Sequence, residues 1–282
     1  MPFELLDSIS LPGNPPKQNE DAFGFMANAA VVLDGATAVT DPLMPGESDP
    51  AWLATFGARR LLAHLREGKS PEAAVRDTMQ DADHSFRALR RREPAETYEY
   101  PFASMMLVVE ENDGVETLSF GDCTALVQRA GEKLQIIGRA FQARANEACG
   151  VAQLAKAKGV APASGFDRPA FLPSLRHARN RINGEKGPWL FGPDARAADH
   201  VAVKHVAAPA GTLVLLASDG FLALASDYSR YDADGLLATA LTKGLKALGE
   251  DLRAVEEGDP EGRKFPRFKK SDDATAVLVR VS

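Results

Sequence analysis

Apolar and polar positions change period several times along the chain. Ala30-Val31-Val32-Leu33 is an unbroken apolar run that stops at Asp34-Gly35, and Leu213-Val214-Leu215-Leu216-Ala217 stops at Ser218-Asp219-Gly220. Short apolar runs bounded by turn residues predict buried strands. The rest of residues 1–35 reads as short strands separated by turns, with Leu11-Pro12-Gly13-Asn14-Pro15-Pro16 as a loop. Residues 41–50, with three prolines and a glycine, form another. From about 50 to 66 the period becomes helical: Leu53, Ala54, Gly57, Ala58, Leu61, Leu62 and Leu65 share a face, and Asp49-Pro50 supplies a cap followed by a first-turn proline. A second helix is predicted over 71–92, opened by Ser70-Pro71-Glu72, lined by Val75, Thr78, Met79, Ala82, Phe86 and Leu89, and closed by Pro94. Strands follow at 103–110, 115–121, 124–128 and 133–137, with hairpin turns at Asn112-Asp113-Gly114 and Ala130-Gly131-Glu132. Residues 139–200 lack a clear period outside a helical stretch at 145–158 and read as a long, flap-like surface excursion. Strands return at 201–206 and 212–217. A helix at 232–248, a charged loop at 257–271 and a last strand at 274–281 complete the chain.

Two amphipathic helices in succession need a sheet to cover. Strands, helices, then more strands therefore define an α+β class: an antiparallel β-sandwich with helices on its outer faces, built as one domain over 1–282. With 282 residues, 45% of them hydrophobic, the chain has ample material for one core. A net charge of -6 and a pI near 5.5 argue against nucleic acid as a partner. Cys123 and Cys149 have no Cys-x-x-Cys spacing, so a zinc knuckle or disulfide framework is not expected. Without a signal pattern or a membrane-length apolar run, a soluble, cytoplasmic protein is expected.

The candidate chemistry lies in the acidic segments beside the predicted strands: Asn19-Glu20-Asp21, Asp34-Gly35, Gly121-Asp122, Ser218-Asp219-Gly220 and Asp272-Asp273. Any one of them alone is most simply a turn. Asp272-Asp273 alone is equally a solvated pair balanced by Lys269 and Lys270. Several carboxylates held at strand tips would instead make a rigid, oxygen-only cage for a hard cation such as Mg²⁺ or Mn²⁺, suited to chemistry on a phosphate ester.

Taken together and in order, Asn19-Glu20-Asp21-Ala22-Phe23-Gly24, Val32-Leu33-Asp34-Gly35, Phe120-Gly121-Asp122, Leu216-Ala217-Ser218-Asp219-Gly220-Phe221 and Asp272-Asp273-Ala274-Thr275-Ala276-Val277 resemble the motifs of the metal-dependent protein phosphatases of type 2C (PPM). The resemblance implies a four-layer α-β-β-α sandwich of two mainly antiparallel sheets, with two Mn²⁺ or Mg²⁺ ions per site and room for a third. It implies Asp34 as the ligand shared by two cations, the Gly35 carbonyl and Asp219 and Asp272 as further ligands, and Asp122 as ligand of a third. Glu20 and Asp21 would orient water and act with Asp34 and Asp219 in catalysis. Asp273 stands where the family has asparagine, and it becomes the ligand if the alignment slips by one residue. The implied reaction is hydrolysis of phosphoserine and phosphothreonine in a phosphorylated protein, a signalling role, by a water shared between the cations.

This chain departs from the family at three points. The phosphate-gripping arginine position is Pro16, leaving Lys17 as the substrate-binding candidate, without the bidentate fork. Asp34-Gly35 is followed by Ala36-Thr37-Ala38 rather than the family's glycines, and the histidine general acid of some members is absent. The second acidic residue after Ser-Asp-Gly is Ala223. These departures motivate two alternatives: a weakly active or inactive regulatory module, or a phosphatase for a small phosphorylated metabolite. Of the weaker features, Arg168, Arg176, His177, Arg179 and Arg181 read as a substrate-recruiting or sheet-packing face. Trp189-Leu190-Phe191 reads as core, and residues 263–270 as either a flexible basic loop or an anion-steering patch. His64, His84 and Cys123 read as structural.

Overall fold

Alternate residues of the apolar runs serve two different cores. Val31 and Leu33 pack beneath helices, whereas Ala30 and Val32 face a second sheet. In the same way Leu215 and Ala217 face helices while Val214 and Leu216 face inward. A strand buried on both sides needs no polar face, which is why these runs are unbroken. The structure is a computed structural model and describes residues 2–142, 149–150, 153, 156, 168–267 and 269–282.

Among the described residues, ten strands form two five-stranded sheets, with antiparallel pairing throughout. One sheet has the order β1 (Phe3–Leu11), β10 (Ala274–Val281), β9 (Leu213–Ala217), β6 (Thr124–Gln128), β7 (Gln135–Ile137). The other has the order β2 (Asp21–Met26), β3 (Ala29–Gly35), β4 (Ala103–Glu111), β5 (Gly114–Phe120), β8 (Ala202–Ala207). Helices α1 (Asp49–Arg66) and α2 (Pro71–Leu89) cover the β2–β8 sheet; their core includes Leu53, Leu61, Met79, Met105 and Leu118. Helices α4 (Asp219–Ser226), α5 (Ala233–Lys243) and α6 (Leu245–Gly258) cover the other sheet through Phe221, Leu236, Leu248 and Leu252. Between the sheets lie Val32, Met106, Cys123, Val214 and Val277. The four layers are the α-β-β-α sandwich expected from the sequence. Among the described residues, no helix is long and apolar enough to cross a membrane.

Several elements differ from the sequence expectation, each for a local reason. The cap of α1 is Ser48, whose hydroxyl accepts from the Ala51 amide, while Asp49 is already helical and accepts the Leu43 and Met44 amides at 2.7 and 2.9 Å. The helix expected at 232–248 is two helices. Gly244 separates them at φ +83°, where a side chain would be strained, and the carboxylate of Asp7 accepts the Leu245 amide that opens α6. α6 then runs to Gly258, into the stretch read as charged loop. The short helix α4 directly after Ser218, and α3 (Arg168–Arg179), were not expected. The helix expected around 145–158 lies mostly outside the described residues. The last part of the 139–200 stretch, residues 191–198, is not a surface excursion: Phe191 is fully buried, exchanges backbone hydrogen bonds with Ala103 and lies against Gly57 of α1, while Ala197 and Ala198 join the same core.

Phe191→Ala should therefore destabilise the fold by about 3–5 kcal/mol, measured by denaturant unfolding. A loss below about 1 kcal/mol would contradict this placement in the core.

Candidate metal centre

Strand register gathers the acidic tips at one edge of the sandwich. β2 and β3 pair so that Asp21 stands opposite Asp34, and β3 and β4 so that Asp34 stands opposite Ser104. The Ser104 hydroxyl donates to Asp122 Oδ1 at 2.6 Å and accepts from the Asp122 amide at 3.3 Å, so Asp122, just beyond β5, is drawn toward Asp34. In the facing sheet, Thr124, Ala217 and Ala276 line up across β6, β9 and β10. Asp219, the first residue of α4, and Asp272 and Asp273, just before β10, are thereby placed at the same edge. One oxygen each from Asp34, Asp122 and Asp219 lies within 4.8 Å of the others. Sequence motifs place Asp122 at a weaker third position, but in the structure it belongs to this tight group. Asp272 stands beside the group, with its carboxylate paired to Lys269.

The two adjacent aspartates do different things. Asp273 engages both oxygens with backbone amides, Oδ1 accepting from Gly13 and Oδ2 from Glu20, each at 2.7 Å. It clamps the two ends of the loop between β1 and β2. Asp272 instead pairs with Lys269, and its charge acts on Asp34 as well as on Asp21. Glu20 accepts from the Ser48 hydroxyl at 2.6 Å, tying the approach to β2 to the cap of α1. Asp21 is buried. Its Oδ2 accepts from Ser218 at 2.8 Å, and its Oδ1 has no hydrogen-bond partner. Gly35 and Gly220 permit the close backbone approach: a Cβ on Gly35 would come within 2.6 Å of the Glu20 carbonyl, and one on Gly220 within 2.0 Å of the Asp273 carbonyl.

Residues distant in sequence complete the frame. The Arg253 guanidinium donates to the carbonyls of Leu11, Pro12 and Asp272 and to Glu256. Arg176 donates to the Val39 carbonyl and Arg179 to that of Thr37, so these two arginines of α3 brace the loop after β3. Arg181 donates to the Lys186 carbonyl, and His177 is exposed. Lys17 lines a cavity of about 880 Å³ beside the acidic group, together with Glu20, Arg253, Lys269 and Lys270. Ser104, Ser218, Arg253 and Lys269 were absent from the predicted site. The partners of Ser104, Ser218 and Arg253 lie in other elements, whereas Lys269 pairs with Asp272 three residues on. Lys269 and Lys270 were legible in the sequence only as countercharge to Asp272-Asp273.

Electrostatics sharpen the picture. Burial pushes the Asp34 carboxyl well above the usual carboxylate range, and the charges of Asp21, Asp219, Asp122 and Asp272 push it further. Burial also raises Asp21, against the opposing Ser218 hydrogen bond and with Asp273 and Asp272 adding to the rise. Burial alone would lower the Lys269 ammonium, but the Asp272, Asp34 and Asp273 charges outweigh it and hold it up. Cys123 is fully enclosed between the sheets. Burial first, then the nearby aspartates, raise its thiol, which keeps it from acting as a nucleophile. His64 is buried against Asp81, 2.8 Å away, on the helix layer. Glu111, Glu116 and His205 form a separate group at the opposite end of the β2–β8 sheet.

An enclosed set of carboxylate oxygens, one of them without a hydrogen-bond donor, fits a hard divalent cation. Among the described residues no cysteine or histidine joins this group, and Cys123 packs into the core between the sheets. No protein-family model matches the chain, and no curated protein matches it in sequence. Solved structures do match it. The chain has the fold of the PPM-type serine/threonine phosphatases. The Mycobacterium tuberculosis serine/threonine phosphatase PstP/Ppp is 14% identical, with all of both chains covered and a TM-score of 0.57. The PstP catalytic domain in complex with two manganese ions is 14% identical over 100% of this chain and 99% of that one, at 0.55. The PPM phosphatase MsPP of Mycobacterium smegmatis, bound to cacodylate, is 14% identical over 99% of each, at 0.52.

The raised carboxyls have a consequence for stability. In the metal-free protein, Asp34 and Asp21 hold protons more tightly folded than unfolded. Stability therefore falls as pH rises above about 4, the unfolded carboxylate value, through the raised folded values. At neutral pH, Asp34→Asn should raise the melting temperature of the metal-free protein by about 2–4 °C and remove the further rise produced by Mn²⁺. A lower melting temperature in the metal-free variant would contradict the stated electrostatics.

Proposed function

We propose that the protein is a metal-dependent phosphatase that hydrolyses phosphoserine and phosphothreonine esters of a phosphorylated protein. The observation that carries this reading is the close Asp34–Asp122–Asp219 group at the edge of a PPM-type sandwich, with the unpartnered Asp21 oxygen beside it. Asp34, Asp219 and Asp272 are the proposed ligands for Mn²⁺ or Mg²⁺, with Asp122 as a further ligand and the Gly35 carbonyl available at the strand end. Divalent cations held there supply an activated water and offset charge on the phosphoryl group.

The chain's own residues hold this arrangement in place. Asp273 serves as a clamp for the β1–β2 loop rather than as a ligand, because both its oxygens already accept backbone amides. Arg253 fixes the backbone of Asp272. Glu20, which lines the cavity, accepts from Ser48, and Asp21 accepts from Ser218; in this reading the two carboxylates orient water. The cavity admits the phosphate from the side of Lys17, Lys269 and Lys270. No histidine is among the residues lining it, so leaving-group protonation falls to water.

Hydrolysis of p-nitrophenyl phosphate with Mn²⁺, with and without a chelator, tests the reading. Metal-dependent turnover is expected in the wild type, with a loss of about 100-fold or more in Asp34→Ala and Asp219→Ala. No metal-dependent turnover in the wild type would instead favour a phosphatase-fold binding module. A phosphopeptide turned over no better than small phosphorylated metabolites would overturn the protein-substrate assignment. The two adjacent aspartates separate by calorimetry: Asp272→Asn should weaken Mn²⁺ binding about tenfold or more, and Asp273→Asn by a smaller factor. The reverse order would exchange their roles.

A further inference from the structure

Lys269 pairs directly with one of the acidic residues, a contact the sequence offered only as countercharge to Asp272-Asp273. It stands on the approach to β10, three residues before Asp272. Its ammonium pairs with the Asp272 carboxylate and donates to the Thr37 hydroxyl at 3.1 Å. Thr37 belongs to the loop after β3 that Arg176 and Arg179 brace, so the ammonium is located from two independent segments. The side chain is 41% exposed and lines the cavity, which means it is tethered at the rim rather than locked in a core. Lys17, at the other side of the cavity, has no hydrogen bond or ion pair from its ammonium to any described residue.

We propose that Lys269 is an exchangeable counter-ion of the metal centre: its ammonium neutralises Asp272 until a divalent cation takes that carboxylate, and it then turns to the phosphate of the ligand. The proposal rests on reading the acidic group as a metal centre. Its physical basis is the contrast between the two cations. A lysine ammonium is a compact, strongly hydrated point charge on a flexible stem, and it brings a single positive charge to the carboxylate. A divalent ion carries twice the charge and binds oxygen directly. It therefore displaces the ammonium, which remains tethered within reach. A displaced ammonium repels the metal ion and attracts a phosphate dianion bound in front of it. Pro16, which carries no charge, lines the same cavity.

The two effects have opposite signs, and that is the test. In Lys269→Met, which keeps the stem and removes the charge, Mn²⁺ binding measured by calorimetry should tighten about three- to tenfold. Binding of inorganic phosphate to the Mn²⁺-loaded protein should weaken by about tenfold. Lys269→Arg retains the charge and should stay within about threefold of wild type in both measurements. Unchanged Mn²⁺ affinity in Lys269→Met, or loss of both affinities together, would overturn the proposal while leaving the metal centre in place. So would a phosphate loss that appears in Lys17→Met and not in Lys269→Met. If wild-type protein binds no Mn²⁺, the metal-centre reading and the role of Lys269 fail together.

Discussion

Packing several carboxylates into one enclosed edge of a protein is unfavourable unless something positive sits among them. Each charge removed from water is penalised, and each also repels the others. That cost governs this structure. Asp21, Asp34, Asp122, Asp219 and Asp272 converge from both sheets, and two of them, Asp21 and Asp34, hold their protons well beyond the usual range. A fold that maintains such an arrangement needs rigid scaffolding behind it, because separate loops would relax apart.

The scaffolding is the sandwich itself. Register fixes Asp21 opposite Asp34, and the facing sheet brings Asp219 and Asp272 to the same edge. The connections across the edge are short and polar. Ser218 donates to Asp21 from one sheet to the other and accepts from the Thr275 amide. Asp273 and Arg253 bind the β1–β2 loop to the approach of β10. Gly35 and Gly220 let backbones meet where a side chain would keep them apart. The result is a site whose acidic lining is preorganised and whose open side carries lysines, an arrangement suited to an anionic ligand approaching bound cations.

Much of this was legible in the sequence, for identifiable reasons. Strands buried on both faces appear as uninterrupted apolar runs, and a carboxylate that ends such a run is necessarily held by the sheet. The layers and most acidic positions followed from that. What escaped depended on contacts that no local pattern encodes. Ser104 acts through Asp122, in the next hairpin, and Arg253 reaches back to Leu11 near the start of the chain. α4 has a nearly continuous apolar sequence, with Gly220 through Leu224 all buried, and so shows no helical period. α3 carries Pro173 inside it, which disguises it as a loop. The apolar stripe from Leu236 to Leu252 continues across Gly244, so two helices read as one. Ser48 and Asp49 are both good caps by composition, and the amides of Leu43 and Met44 decide between them.

The central claim is that the gathered aspartates are a divalent-cation site. Anomalous diffraction from a crystal soaked in Mn²⁺ tests it most directly. The account predicts strong anomalous density enclosed by Asp34, Asp122 and Asp219 and extending toward Asp272, with Asp273 still bound to the Gly13 and Glu20 amides. An absence of anomalous density at this edge, with Lys269 still paired to Asp272 at saturating Mn²⁺, would contradict it.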